Sequence, residues 1–202
     1  MPQSHYKWRE VFSEDEKAQL FVDGPDLQKR FGPSADLFSR QYESIPGEDE
    51  LNKLLGIDCA FHLPDDLMIK NDRMTMAHSL EARVPFTDLP LFEYMAGLSS
   101  RLKVHGFTLK YLLKRAMEPD LPKEILHKKK IGLEIPYSKW FCAELKEVLL
   151  DHLSEAALRE VPFLNRRFVL DIVAEHLQKR RDRGRELWGL MNFMIWHRQH
   201  FR

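Results

Sequence analysis

Leu63-Pro64-Asp65-Asp66-Leu67-Met68-Ile69-Lys70-Asn71-Asp72-Arg73-Met74-Thr75-Met76-Ala77-His78-Ser79-Leu80-Glu81-Ala82-Arg83-Val84-Pro85-Phe86-Thr87-Asp88 is the stretch around which the chain reads most clearly. Its charges do not gather on one polar face. Asp72, Arg73, Glu81, Arg83 and Asp88 stand among Met, Ala, Leu, Val and Phe. Charged groups set into apolar sequence are costly to bury unless paired, so these five are candidates for a site or a buried salt-bridge network. Pro64 breaks the preceding helix, and Asp65 or Asp66 can cap a new one running towards Leu80. Pro85 forces Val84 out of helix, which makes Arg83 to Asp88 a turn.

Upstream, residues 1–12 are mixed and read as an extended lead-in. Ser13-Glu14-Asp15-Glu16 is a capping box, which predicts a short helix to about Phe21. Gly24-Pro25 punctuates the chain, and Pro33-Ser34 starts a helix that Pro46-Gly47 ends. From Glu48 a helical region carries Leu51, Leu54, Leu55, Cys59 and Phe61 on an apolar stripe, with Asp58 set into it. Downstream, Asp88-Leu89-Pro90 opens a helix ending near Ser99–Ser100. Leu102 to Phe107 is a short extended piece around Gly106, and Thr108 caps a helix lined by Leu109, Leu112, Leu113, Ala116 and Met117. Pro122 to Leu126 makes one helical turn and Lys128 to Pro136 a loop. A helix from Tyr137 to Leu153 carries Trp140, Phe141, Leu145, Val148 and Leu149, and Ser154 to Arg159 forms a short one. Asn165 caps a further helix to about Arg180, and a last one runs from Arg185 to about His200.

With no period-2 strands and no repeat, the pattern is all-α, with roughly ten helices. It divides into a helical lead-in over 1–50 and a main body over 51–202 that pack as one unit. In 202 residues Lys+Arg and Asp+Glu both number 31, so net charge recruits neither nucleic acid nor an anionic membrane. The mixed-sign Arg180 to Arg185 run is a solvated helix end. Cys59 and Cys142 form no disulfide framework and lack metal-ligand spacing, which fits a reducing compartment and small core residues. No stretch has the length of a membrane span or of a signal core, so a cytoplasmic protein is expected.

The same stretch resembles the carboxyl half of the synthetase domain of glutamine-dependent asparagine synthetases. That family reads Leu-Pro-Asp-Asp-Leu, then Asp-Arg-x-Ser-Met-Ala-x-Ser-Leu-Glu-x-Arg-x-Pro-Phe-Leu-Asp. Here Thr75 stands for the Ser and Thr87 for the Leu. In family order follow Lys110-Tyr111-Leu112-Leu113-Lys114, similar to Lys-x-Leu-Leu-Arg, and then Leu121-Pro122. Lys128-x-Lys130-x-Gly132 comes next, with Leu133 where the family has Phe, and Pro136, Trp140 and Leu187-Trp188 complete the series. The resemblance covers about residues 50–202.

The resemblance implies helical architecture and an ATP-dependent amidation. A carboxylate, aspartate in the family, attacks the α-phosphorus of Mg-ATP; pyrophosphate leaves, and ammonia derived from glutamine displaces AMP. Magnesium travels with the nucleotide, and no dedicated metal site is expected, since His197 and His200 lack a third ligand. The family's glutaminase domain begins with a cysteine where this chain has Pro2. Its Ser-Gly-Gly-x-Asp-Ser pyrophosphate loop has only superficial echoes here, at Gly32 to Asp36 and Gly47 to Glu50. The chain therefore reads as a fragment, silent by itself, with an apolar face exposed and self-association into a homodimer expected.

By resemblance Lys110 is the cation that meets the phosphates and the developing charge. From the residues alone it starts a helix, where the dipole disfavours a cation unless an anion binds. Glu81 and Arg83 either form an ion pair that holds the turn or, by resemblance, belong to the site. Glu81 would orient ammonium or assist proton transfer, and Arg83 would meet phosphate. Lys128, Lys129 and Lys130 approach phosphates or face solvent, with Lys130 the member that matches the motif. Asp72, Arg73 and Asp88 read as structural, and Trp140, Phe141, Trp188, Phe193 and Trp196 as core. Two alternatives stand beside this: a relative acting on another carboxylate, including closure of a β-lactam, or a non-catalytic helical module that binds a partner.

Overall fold

The computed structural model describes residues 2–129, 132 and 135–201. The fold is mostly helical and includes one two-stranded hairpin. The chain forms two compact units, one of Met1–His5 with Leu37–Ile131, the other of Tyr6–Asp36 with Gly132–Arg202.

The second unit holds the hydrophobic core. Ser13 accepts from the Glu16 amide at 3.2 Å and Glu16 answers on the Ser13 amide at 3.0 Å, closing the expected capping box of helix Glu14–Leu20. Asn165 likewise accepts from the Phe168 amide and starts helix Arg166–Leu177. These helices and Gly184–His200 bury Phe141, Leu149, Leu158, Val169, Ile172, Leu187 and Met194, alongside residues of Lys146–His152 and Glu155–Arg159. Leu20 and Phe12 join the same cluster.

A charged hub lies beside it, built on Arg183, so the Arg180 to Arg185 run is not the solvated helix end its mixed charge suggested. The Arg183 guanidinium, 4% exposed, bonds Glu16 at 2.5 Å, Glu175 at 2.7 Å and Glu186 at 3.0 Å. Burial opposes its charge, but these three carboxylates outweigh burial and push its pKa above the ordinary arginine value. The Arg183 amide donates to His176 Nδ1 at 3.1 Å, so the ring hydrogen sits on Nε2 and is donated to the Ser138 carbonyl at 3.0 Å.

In the first unit only Ile57 and Leu126 are buried among the described residues. Polar contacts tie its elements together. Asp49 caps helix Glu50–Ala60 through the Asn52 amide and also accepts from the Ser100 amide at 3.0 Å. Asn52 donates to the Leu98 carbonyl and accepts from Lys103 at 2.6 Å. Phe38 stacks on Phe61 at 5.1 Å, and Asp58 meets His5 at 2.9 Å.

Several expectations are corrected. The lead-in is helical over Pro2–Arg9, and Gly24 opens a helix, Gly24–Phe31. Neither Asp65 nor Asp66 caps a helix: Pro64 enters the first turn of a π-helix, Leu63–Met68, where its missing amide costs little. The backbone then continues into Ile69–Met76, and Asp66 pairs along the helix with Lys70. Thr108 is a strand residue, because Thr108–Leu109 pairs with Val104–His105 across Gly106. The helix expected from Tyr137 to Leu153 is two, Tyr137–Phe141 and Lys146–His152. The Leu145 amide reaches back to the Trp140 carbonyl at 2.7 Å and ends the first.

Of the aromatics assigned to the core, Phe141 is fully buried and Phe193 partly so. Trp140, Trp188 and Trp196 keep 37%, 36% and 48% of their surface exposed. Amphipathic indole rings pack one edge and leave the other in water. Both cysteines are half-buried.

Candidate functional site

The hairpin Val104–His105 and Thr108–Leu109 delivers the chain to Lys110, whose backbone is left-handed at φ 57°, ψ 38°. That conformation costs a side-chain-bearing residue about 1–2 kcal/mol, so its surroundings must hold it. Part of the hold is visible: the His105 ring stacks on Tyr111 at 4.8 Å, bridging the elements on either side of Lys110. Helix Tyr111–Ala116 then leads away.

Lys110 opens onto a groove of about 790 Å³. Leu109, Leu113, Met117, Leu121, Ile125 and Leu126 form its apolar wall, with Phe86 and Phe107 also lining it. Lys110, Lys114, Lys128, Lys129 and His127 line it too, and among the described residues no carboxylate does. Such a cleft suits a ligand with a compact anionic part and a less polar body.

The sequence-derived candidates divide around this groove. Lys110 is on it, as are Lys128 and Lys129. Lys130 lies outside the described residues. Glu81 and Arg83 pair at 2.9 Å, but their side chains are 68% and 86% exposed and neither lines the groove. Phe86, from the turn Pro85–Thr87 that follows them, does. Asp72, Arg73 and Asp88 are exposed, so the charges of residues 63–88 form no buried network. Sequence reasoning takes Lys114 only as part of a motif, and the structure places it in the groove. Its spacing of four from Lys110 is the one available signal.

A second cavity, about 500 Å³, is lined by Cys59, Pro64, Met68 and Asp72. Burial first, then Asp58, pushes the Cys59 thiol pKa up, against the opposing pull of Lys103. A thiol so held is a poor nucleophile. Among the described residues no group of three or more His, Cys, Asp or Glu is arranged to hold a metal ion. None of their helices is long and apolar enough to cross a membrane.

The family model for asparagine synthase matches residues 3–198. The chain belongs to the asparagine synthase family. It is 31% identical over 188 residues to asparagine synthetase [glutamine-hydrolyzing] 1 of Bacillus subtilis, covering 93% of this chain and 29% of that protein. A putative asparagine synthetase of Mycobacterium bovis is 34% identical over 168 residues, with 80% of this chain and 25% of that protein covered. The chain thus spans between a quarter and a third of the length of these relatives. No solved structure matches it. The asparagine synthase match takes in the whole groove, from Phe86 to Lys129, and both units.

Proposed function

We propose that this chain supplies the cationic, helical side of a site that activates a carboxylate with Mg-ATP and passes it to ammonia, as in making asparagine from aspartate. One observation carries the reading: Lys110, at the motif position singled out in sequence, lies on a groove whose described lining is apolar groups and cations with no carboxylate.

When the carboxylate oxygen bonds to the α-phosphorus and pyrophosphate departs, negative charge gathers on the phosphates. A preplaced cation lowers the barrier because it needs no reorganisation at that moment. Lys110 fills that role, with Lys130 as a further phosphate contact. The rigid turn between hairpin and helix keeps the Lys110 backbone fixed. Arg83 and Glu81 serve as an exposed pair that parts cheaply, since such pairs contribute about 0–1 kcal/mol. Arg83 then meets phosphate, while Glu81 orients ammonia or takes a proton from it. Magnesium enters with the nucleotide.

The test is a chimera in which this chain replaces the matching segment of the Bacillus subtilis synthetase. Carboxylate-dependent pyrophosphate release from Mg-ATP is measured across a panel that includes aspartate. Release with aspartate and ammonium supports the reading. Release with another carboxylate alone replaces aspartate as substrate. A folded chimera that releases pyrophosphate with none overturns the proposal.

A further inference from the structure

Among the described residues His176 is the one buried histidine, 4% exposed, and both of its ring nitrogens are committed. Nε2–H donates to the Ser138 carbonyl at 3.0 Å, and Nδ1 accepts from the Arg183 amide at 3.1 Å. The ring thereby ties helices Tyr137–Phe141 and Arg166–Leu177 to the start of helix Gly184–His200, and only its neutral form can do so. The junction is tight: a Cβ added to Gly184 would come within 2.9 Å of the Ser138 Cα. A hydrogen on Nδ1 would point at the Arg183 N–H. Two carboxylates are near. Glu175 is occupied by the Arg183 guanidinium at 2.7 Å, whereas Asp182 lies 3.5 Å from the same Nδ1 with its side chain 72% exposed. The Gly184 amide, with the Ser138 hydroxyl, holds the Asp182 carboxyl below its ordinary value against the effect of burial. Lys139, Cys142, Lys179 and Arg181 complete the titratable surroundings, lining with His176 a cavity of about 460 Å³.

We propose that His176 is a pH-operated latch on the turn between the last two helices: neutral, it holds the Arg183 amide; protonated, it releases that amide and pairs with Asp182. A proton from solvent, reaching the ring through the cavity, adds to the Nδ1 lone pair, while the Nε2 hydrogen stays on the Ser138 carbonyl. The Arg183 backbone then loses its acceptor, and its guanidinium loses the fixed approach to Glu16, Glu175 and Glu186. Histidine is the side chain whose charge changes between about pH 5 and pH 8, which sets the range to examine. The Glu16 carboxyl, held below its ordinary value, stays charged across it. The latch belongs to the unit without the groove, so it stands apart from the function proposed there.

The experiment follows the Arg183 amide of the full chain by nuclear magnetic resonance from about pH 7.5 to about pH 5.5, as hydrogen-exchange protection relative to an unstructured chain at each pH. Protection at Arg183 is expected to fall about tenfold and to recover on return, as one hydrogen bond is lost, while Val169 and Ile172 in the core keep theirs. His176→Gln supplies one acceptor and one donor that do not titrate, and is expected to hold the amide equally throughout. Asp182→Asn removes the charge that receives the protonated ring and is expected to need more acid for the same fall. Constant protection at Arg183 in the native chain overturns the proposal, as does an equal fall at Val169 and Ile172. The native response in either variant overturns it as well. Should His176→Gln fail to fold, the ring nitrogen resonances of the native chain decide: protonation in step with the loss at Arg183 supports the latch, and a ring neutral throughout overturns it.

Discussion

The backbone amide of Lys114 donates to the carbonyl of Lys110 at 3.0 Å, so the first turn of the helix closes onto a residue in the left-handed conformation. Glycine adopts that conformation without the penalty a lysine carries. Lys110→Gly is therefore expected to raise unfolding free energy by about 0.5–1 kcal/mol in urea titrations, while removing one of the groove's cations. A gain in stability with a loss of pyrophosphate binding would mark Lys110 as held in place for its charge. A loss of stability would contradict that.

Arg183 is expected to dominate the polar energetics of the other unit. Replacing it with Met leaves Glu16, Glu175 and Glu186 facing one another near the core. Removing one partner of a buried charged set typically costs about 3–5 kcal/mol. Circular dichroism through a urea gradient reads this directly, and a change below about 1 kcal/mol would show the hub to be solvated.

The same hub predicts acid sensitivity. Burial raises the Glu16 carboxyl, but hydrogen bonds from Arg183 and from the Ser13 amide and hydroxyl outweigh it and hold the group below its ordinary value of 4.5. Glu14 is lowered as well, by Lys17 and the Ser34 amide acting against burial. A carboxylate with a depressed folded pKa contributes stability that is fully present above the unfolded value and lost as pH falls through the folded one. Unfolding free energy is expected to be flat from about pH 6 to 7 in this respect and to fall below about pH 4.5. Glu16→Gln should flatten that acid limb, and an unchanged limb would assign the sensitivity elsewhere.

Two glycines give opposite steric predictions. A Cβ on Gly24 would strike the Ala18 carbonyl, backbone that cannot swing aside, whereas one on Gly97 meets nothing within 4 Å. Gly24→Ala is expected to lower stability by about 1–3 kcal/mol. Gly97→Ala, at the end of helix Leu89–Gly97, is expected to raise it by up to about 1 kcal/mol. Thermal melts of both variants decide the point.

Hydrogen exchange should separate the units. The first has two buried residues among those described, and the second carries the whole hydrophobic cluster. Amides of Val169, Ile172 and Met194 are expected to exchange slowest, and those of Ile69–Met76 and Leu89–Gly97 much faster. Equal protection would mean that polar stitches such as Asp49 to Ser100 stabilise as much as apolar burial does.

Local signals in the sequence were legible where the physics is local. The caps at Ser13 and Asn165 depend on a few neighbouring atoms, and both form as read. The family motifs around residues 63–88 pointed to the right family. Burial was less legible, because an apolar stripe says which residues prefer cover and nothing of what covers them. Met74, Leu80, Phe86 and Leu89 thus stand more than 60% exposed, and the charges beside them need no buried partners. The left-handed turn at Lys110 was hidden because lysine carries no signal for it.

The most direct test of the account is Lys110→Ala in the chimera, read as kcat for aspartate-dependent pyrophosphate release together with Tm. A positioned cation at a developing charge predicts a fall in kcat of about 10²–10³-fold with Tm unchanged. Native kcat in a variant that still melts at the native temperature would contradict the role given to Lys110 and to its groove.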